Sequence, residues 1–342
     1  MTSCLAIIDD GVSVFPQPLE TGDIRNEVLW CPEHCAGVRC ADGRLVCEAG
    51  HEISVEGGVP VFAREPRREP KPLNMPPLAE RREPGAVDAF VDDWIVNTNG
   101  NLYWGVRGRL PRYPIPTWPA RPANAPGETL VDIGCSWGRW TIAAARAGYA
   151  TWGVDVHIDA LWAAQRVTGE LGLQANFACC DVTRLPFRPD SIDFVFSYSV
   201  LQHIEKDSVR KVLQGIARIL RPSGTCLVQL PNASGVISLL RRARRGFREA
   251  APGTFEMRYW KRREIQRAFR DAGFGDVDFG AEGFLLQNTQ RGDSDLLSPA
   301  GAMAMRASCT LRDLANRMPG ATRIADSLWV QAKKTDMGAM TP

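Results

Sequence analysis

The stretch "LVDIGCSWGRW", Leu130 to Trp140, decides the fold. Leu130, Val131 and Ile133 form a short apolar run around Asp132, and Gly134 and Gly138 follow before a helix-like stretch. Glycines here permit a tight turn and the close approach of a ligand. Dinucleotide sites use G-x-G-x-x-G, which delivers a pyrophosphate to a helix N-terminus. This turn reads Gly-x-x-x-Gly with Ser136 and Trp137 inside it, and a bulky indole is a poor neighbour for a pyrophosphate. No Walker-type lysine follows, so a triphosphate is not indicated either.

Outward from the turn the pattern is regular. Strands are expected at 129–133, 150–155, 174–180, 191–197, 225–230, about 276–282 and 326–332. Helices alternate with them: through 137–147 with a stop at Gly148, on to about Leu171, one carrying Val209 to Leu220 and stopped by Pro222 and Gly224, and one over about 260–272. Val209, Val212, Leu213, Ile216, Ile219 and Leu220 follow the i, i+3, i+4, i+7 spacing of a half-buried helix. Alternation of this kind predicts an α/β fold, a seven-stranded, doubly wound, mostly parallel sheet. Ligands of such sheets sit beyond the carboxyl ends of the strands. Asp155 ends the second strand and could accept both hydroxyls of a ribose. Asp181 follows the third and could accept from an exocyclic amine.

In this order and spacing, "LVDIGCSWGRW", "GVD", "CCDVTRLPF", "IDFVFSYSVLQHI" and "RILRPSGTCLVQLPN" resemble the class I S-adenosylmethionine-dependent methyltransferases, a Rossmann-like family. The likeness is to the small-molecule branch and covers about 127–280, with 326–332 completing the family's sheet. The resemblance implies that Asp132, Gly134 and Gly138 hold the methionine end of the cofactor, with Ser197 nearby. It implies Asp155 for the ribose, and Asp181 with Val182 for adenine. Ser136 stands where the family often has glycine.

A sulfonium methyl is already activated, so aligning acceptor, carbon and sulfur supplies much of the catalysis. A hydroxyl acceptor also profits from a base. His203, just past the fourth strand, is the candidate base, and Tyr198 the candidate hydrogen-bond donor or acceptor-pocket residue. Acceptor contacts are expected from the segment around Tyr103 and from insertions after the later strands. Among these, Arg241, Arg242, Arg244, Arg245 and Arg248 form a basic run that reads as a solvated helix face or a grip on an anionic acceptor.

Ten cysteines are present, and Cys31, Cys35, Cys40 and Cys47 cluster. The N-terminus lacks the basic start of a secretory signal, so a cytoplasmic location is expected and the cluster reads as metal-binding rather than disulfide-forming. Cys31-x3-Cys35 and Cys47-x3-His51 are two short-spaced pairs, as tetrahedral zinc requires. His34 or Cys40 could replace one of these ligands. The stretch resembles the small zinc ribbons that activate tRNA and release-factor methyltransferases. It is also similar to the zinc module of bacterial ribosomal-RNA guanine-N1 methyltransferases. A ribbon this small needs its metal for stability, so a structural zinc is expected.

The expected organisation is an N-terminal segment and ribbon (1–63, with a short hairpin near its start) and a linker of six prolines and ten charges (64–84). An aromatic lead-in or cap (85–126), a methyltransferase domain (127–335) and a tail (336–342) complete it. The net charge of +2 gives no general pull toward nucleic acid or anionic membrane. No apolar run approaches the ~20 residues of a membrane span. These features favour transfer of a methyl group to a small or conjugated metabolite, at a sugar or natural-product hydroxyl or amine. The alternatives are an RNA base methyltransferase gripping through ribbon and arginines, and a non-catalytic cofactor-binding partner that regulates another protein through its ribbon.

Overall fold

The computed structural model describes residues 26–41, 44–68, 87–288, 290–318 and 320–335. The hairpin expected near the N-terminus, linker residues 69–84 and the tail lie outside the described residues.

The strand expectations hold closely in the centre. The strands are β1 (Trp30–Cys31), β2 (Ala36–Ala41), β3 (Arg44–Cys47), β4 (Glu52–Glu56), β5 (Val59–Val61), β6 (Thr129–Ile133), β7 (Ala150–Asp155), β8 (Asn176–Cys179), β9 (Ile192–Ser197), β10 (Leu220–Pro231), β11 (Phe274–Gly283) and β12 (Ser327–Lys334). The helices are α1 (Ala89–Asn99), α2 (Arg139–Arg146), α3 (Ile158–Glu170), α4 (Lys206–Ile219), α5 (Val236–Arg244), α6 (Arg262–Asp271) and α7 (Pro299–Arg317). Strands β6 and β8 are buried along their whole length, as expected of parallel strands covered on both faces. On α4 the predicted stripe is the buried face: Val209, Val212, Leu213, Ile216 and Ile219. Each such side chain contributes about 1.5–3 kcal/mol by leaving water.

The sheet is twelve-stranded and mixed, not seven-stranded. Its order is β1-β2-β3-β4-β5-β8-β7-β6-β9-β10-β12-β11. The seven expected strands are contiguous within it, with β12 antiparallel to both neighbours. The other five come from the cysteine-rich module. Strand β5 meets the edge of β8 in parallel at Val61↔Cys179, and the Phe62 and Ala63 amides both reach the Cys179 carbonyl, at 2.7 and 3.1 Å. A sheet edge left bare offers unpaired backbone groups, and the module covers it. Leu29 bridges Phe187, and Leu29, Cys31, Val38, Leu45, Cys47 and Ile53 join the same apolar cluster as Phe187 and Leu185. The start of the linker is also docked: Arg67 bridges His157, and Arg68 pairs with Glu56 and Asp159.

The lead-in packs on the domain as its aromatic content suggested, but through a helix the sequence did not announce. Asp88 caps α1, accepting from the Phe90 amide at 2.9 Å, and takes Arg166 of α3 at 2.7 Å. Val91, Ile95 and Tyr103 then bury against Trp137 and Ile142. Helix α7, also unforeseen, brings Met305 and Cys309 into this cluster. Asn316 clamps α7 to β11 by exchanging two hydrogen bonds with Ala281. Helices α1 and α7 thus share one apolar cluster with Trp137 of the turn after β6.

Candidate functional site

The turn after β6 is built by backbone bonds and two left-handed glycines. Gly134 and Cys135 both donate to the Val154 carbonyl, at 2.7 and 3.0 Å. Gly134 has φ +73°, and a Cβ there would stand 2.1 Å from a Val200 methyl. Gly138, at φ +81°, starts α2 and would crowd Ala164. Only glycine meets both demands. Trp137 is not inside the cradle: its indole is fully buried and donates to Thr98 Oγ1 at 3.1 Å. The indole therefore anchors the lead-in, and it is no obstacle to a ligand at the turn.

Around this turn the other expected residues fall in a row. Strand pairings set Asp132 opposite Gly153, Asp155 opposite Cys179 and Ile133 opposite Ser197. The order along the carboxyl edge is therefore Asp181, Asp155, the Gly134 turn and Ser197. Neighbouring strands are about 4.8 Å apart, so the row from β8 to β9 spans roughly 14 Å. Asp155 receives the Ser136 amide on one oxygen at 2.9 Å and the His157 amide on the other at 3.0 Å. An ionised carboxylate oxygen has two acceptor sites, so each keeps one in reserve. Asp181 is exposed and uses Oδ1 to hold Thr183 through its amide and hydroxyl. Val182 beside it is half-buried.

Beneath the turn, Asp132 is buried and accepts from Thr141 Oγ1 at 2.7 Å. Burial pushes its carboxyl up to about 7; the Thr141 bond opposes the rise and the Asp155 charge adds to it. Ser197 is buried and donates its hydroxyl to the Ile133 carbonyl at 3.1 Å.

Tyr198 and His203 have separate surroundings. Tyr198 is buried, donates to Glu282 Oε1 at 2.7 Å and packs tilted against Trp140, 5.1 Å between ring centroids. Burial first, then the Glu282 charge, raises its phenol well above the usual range, so it stays a phenol. His203 lies flat on Phe255, 3.9 Å between centroids. Its Nδ1 is 3.0 Å from the Phe255 carbonyl, which can only accept, so Nδ1 carries the proton. Nε2 then accepts from the Gln202 amide at 3.1 Å. Burial lowers the His203 pKa, so the ring is neutral near pH 7. Tyr103 is buried and donates to Asp293 at 2.6 Å. On α5 and just after it, Arg241, Arg244, Arg245 and Arg248 are exposed, while Arg242 donates to the Ala233 carbonyl and Arg245 pairs with Glu256. A hollow of about 490 Å³ lined by Gln266, Arg270 and Phe274 lies at the start of β11, away from the carboxyl ends.

In the N-terminal module, Cys31, His34, Cys47 and His51 converge, their ligand atoms all within 4.8 Å of one another. His34, not Cys35, fills the fourth corner. Cys35 has φ +50° and is exposed. Cys40 lies on β2, opposite Leu45, and is outside the cluster.

A parallel sheet whose central turn and strand-end acids line one edge is the class I methyltransferase arrangement. Residues 130–224 match the family described as "Methyltransferase domain". The chain is 31% identical over 111 residues to the ubiquinone biosynthesis O-methyltransferase of Cupriavidus pinatubonensis, covering 32% of this chain and 44% of that one. It is 26% identical over 158 residues to the biotin biosynthesis bifunctional protein BioHC of Cellvibrio japonicus, covering 46% and 30%. It thus spans less than half the length of these two curated relatives. Among solved structures, phosphoethanolamine N-methyltransferase 2 of Haemonchus contortus aligns with 19% identity and a TM-score of 0.45, over 72% of this chain and 57% of that one. Residues 130–224 thus carry a methyltransferase domain.

Two features of the site escaped sequence reading. His34 was only an alternative ligand, and Arg139 drew no attention. An arginine in the first turn of a helix reads as solvated until the elements that cover it are known.

Proposed function

We propose that the protein transfers a methyl group from S-adenosylmethionine to a small or conjugated metabolite, at a hydroxyl or amine. The observation that carries this reading is the row of Asp181, Asp155, the Gly134 turn and Ser197, in the order of adenine, ribose and methionine and at about the length of the cofactor. Asp155, with an acceptor site in reserve on each oxygen, is suited to the two ribose hydroxyls. Asp181 with Val182 takes the adenine. Asp132, Gly134, Gly138 and Ser197 surround the methionine end. The cofactor supplies an activated methyl on sulfur, and the protein's task is alignment and exclusion of water. Tyr198 acts as an acceptor-pocket residue. His203 has the charge state of a base, but Gln202 must turn aside before Nε2 can take a proton. The name of one relative, a ubiquinone biosynthesis O-methyltransferase, supports a small acceptor. A cytoplasmic location belongs to the same reading.

Cys31, His34, Cys47 and His51 are suited to a structural zinc. Zinc bonds of about 2.3 Å to sulfur and 2.0 Å to nitrogen set a tetrahedral S···N edge of about 3.6 Å. Three such separations are 3.4, 3.5 and 3.7 Å.

Zinc-loaded protein should be incubated with radiolabelled S-adenosylmethionine and cell extract, with and without ribonuclease, and fractionated by size. Label in small molecules is the expected result. Ribonuclease-sensitive label in large RNA would favour the RNA reading. Tight cofactor binding with no label transferred would favour a regulatory partner, and no cofactor binding by calorimetry would sink all three.

A further inference from the structure

Arg139 is the first residue of α2, directly after Gly138, and only 4% exposed. Among the described residues, none of its three guanidinium nitrogens has a hydrogen-bond partner. The Trp140 ring centre lies 5.5 Å from its guanidinium carbon. Buried guanidinium groups are almost always paired, because taking the charge out of water costs several kcal/mol. The neighbouring groups share this state. Trp140 Nε1, a donor, and Asn288 Oδ1, an acceptor, are buried without partners. They belong to one assembly: Trp140 packs tilted against Tyr198, Tyr198 bonds Glu282, and Glu282 takes the Asn288 amide at 3.2 Å. Asn288 in turn ties to the Thr98 carbonyl of α1 at 3.1 Å. The Arg139 charge acts on Asp132 below the turn and on Tyr103 and Tyr198 beside it.

A polar assembly with unmet donors around a buried cation is prepared for a ligand, and its chemistry identifies the ligand's group. A planar five-donor fork matches a carboxylate in two parallel hydrogen bonds. We propose that Arg139 is the receptor of a carboxylate brought into this assembly by a bound ligand, either the acceptor or the amino-acid end of the cofactor. This rests on the methyltransferase reading above. The carboxylate neutralises the guanidinium, and Trp140 and Asn288 offer a donor and an acceptor to the rest of the ligand. Tyr198 and Asp293 do not pair with Arg139, because their bonds go to Glu282 and to Tyr103 and Arg112.

The full chain is compared with Arg139→Met and Arg139→Lys. Without ligand, Arg139→Met is expected to melt at or above the wild type, since an unpaired buried charge has gone. A melting point several degrees lower would make Arg139 a structural residue and overturn the proposal. Calorimetry with S-adenosylhomocysteine and with 5′-methylthioadenosine, which lacks the amino acid, then separates the sources. If the cofactor supplies the carboxylate, Arg139→Met loses roughly 10- to 100-fold in affinity for the first and none for the second. Arg139→Lys falls between. If the acceptor supplies it, affinity for both nucleosides is unchanged. At saturating S-adenosylhomocysteine, benzoate or acetate then raises the melting point of the wild type more than benzamide or acetamide, and Arg139→Met loses that difference. If neither pattern appears in protein that binds S-adenosylhomocysteine, the carboxylate receptor is refuted while the methyltransferase reading stands. Wild type that binds neither nucleoside refutes both.

Discussion

The N-terminal module and the methyltransferase sheet solve the same problem differently. The sheet carries its own core, with Val131, Ile133, Val154, Val195 and Val228 all fully buried. The module has only short strands, and its buried side chains finish a cluster that belongs to the sheet. What it holds by itself is the group of Cys31, His34, Cys47 and His51. Stability in one region is spread over many apolar contacts; in the other, on the zinc reading proposed above, it rests on a joint and four ligands.

The largest expected effect tests that contrast. Chelation or Cys47→Ser should release one zinc and remove amide-exchange protection from β1 to β4, leaving β6, β7 and β9 protected. Structural zinc contributes about 10–16 kcal/mol of apparent binding free energy, and the module has no comparable reserve. Uniform loss across both regions would break the comparison. Protein purified without metal, with the module intact, would remove the zinc.

The next effect probes the sheet side. Gly134→Ala places a methyl against Val200 in a left-handed backbone, and should cost about 2–4 kcal/mol in urea unfolding. Adding Val200→Ala should restore part of it. No recovery would mean that backbone strain alone sets the cost.

Asp132 gives a pH signature. Its carboxyl sits at about 7 in the folded chain against 3.8 in the reference state. Between those values the folded form holds a proton that the unfolded form has released. Stability should therefore fall as pH rises through that window, by about 4 kcal/mol at most, and stay level above it. Asp132→Asn should flatten this slope in stability curves from pH 4 to 8; an unchanged slope would place its origin elsewhere.

Asp155→Ala should weaken S-adenosylhomocysteine binding about 10-fold by calorimetry, because it removes the proposed ribose acceptor and loosens the Ser136 and His157 amides it holds. Unchanged affinity would refute the assignment.

The contrast also explains what could be read from the sequence. Strands β6, β7 and β9 were found almost to the residue, because strands buried on both faces are mostly apolar and here are bounded by glycines and acids. The strand-end acids were found because topology puts such positions at the ligand edge. Helix α1 was missed: Asp92 and Asp93 interrupt its apolar stripe, and Asp92 is buried only because its carboxylate accepts the Leu110 amide. Helix α7 is rich in alanine and methionine and carries a weak stripe. Without those two helices nothing shows that Arg139 is covered. In the module, pair spacing located the metal cluster but not its fourth member, since a one-residue change of turn exchanges Cys35 for His34. The joining of the module to β8 has no sequence signal, because its register is set by backbone bonds between segments far apart in the chain.

That joint divides the cofactor edge by ownership. On the β6 and β9 side the row's own residues, the Gly134 turn and Ser197, come from the methyltransferase domain. On the β8 side, Arg184, three residues beyond Asp181, pairs with Glu33 of the module. Arg67, on the chain leaving the module, exchanges backbone bonds with Val156 and Ile158 beside His157. The proposed nucleoside half thus leans on a wall that the proposed zinc would hold upright. Two ligands that stabilise opposite sides of one wall tighten each other by the same factor. Zinc loss would then be felt as weaker nucleoside binding, and a bound nucleoside would slow the departure of zinc.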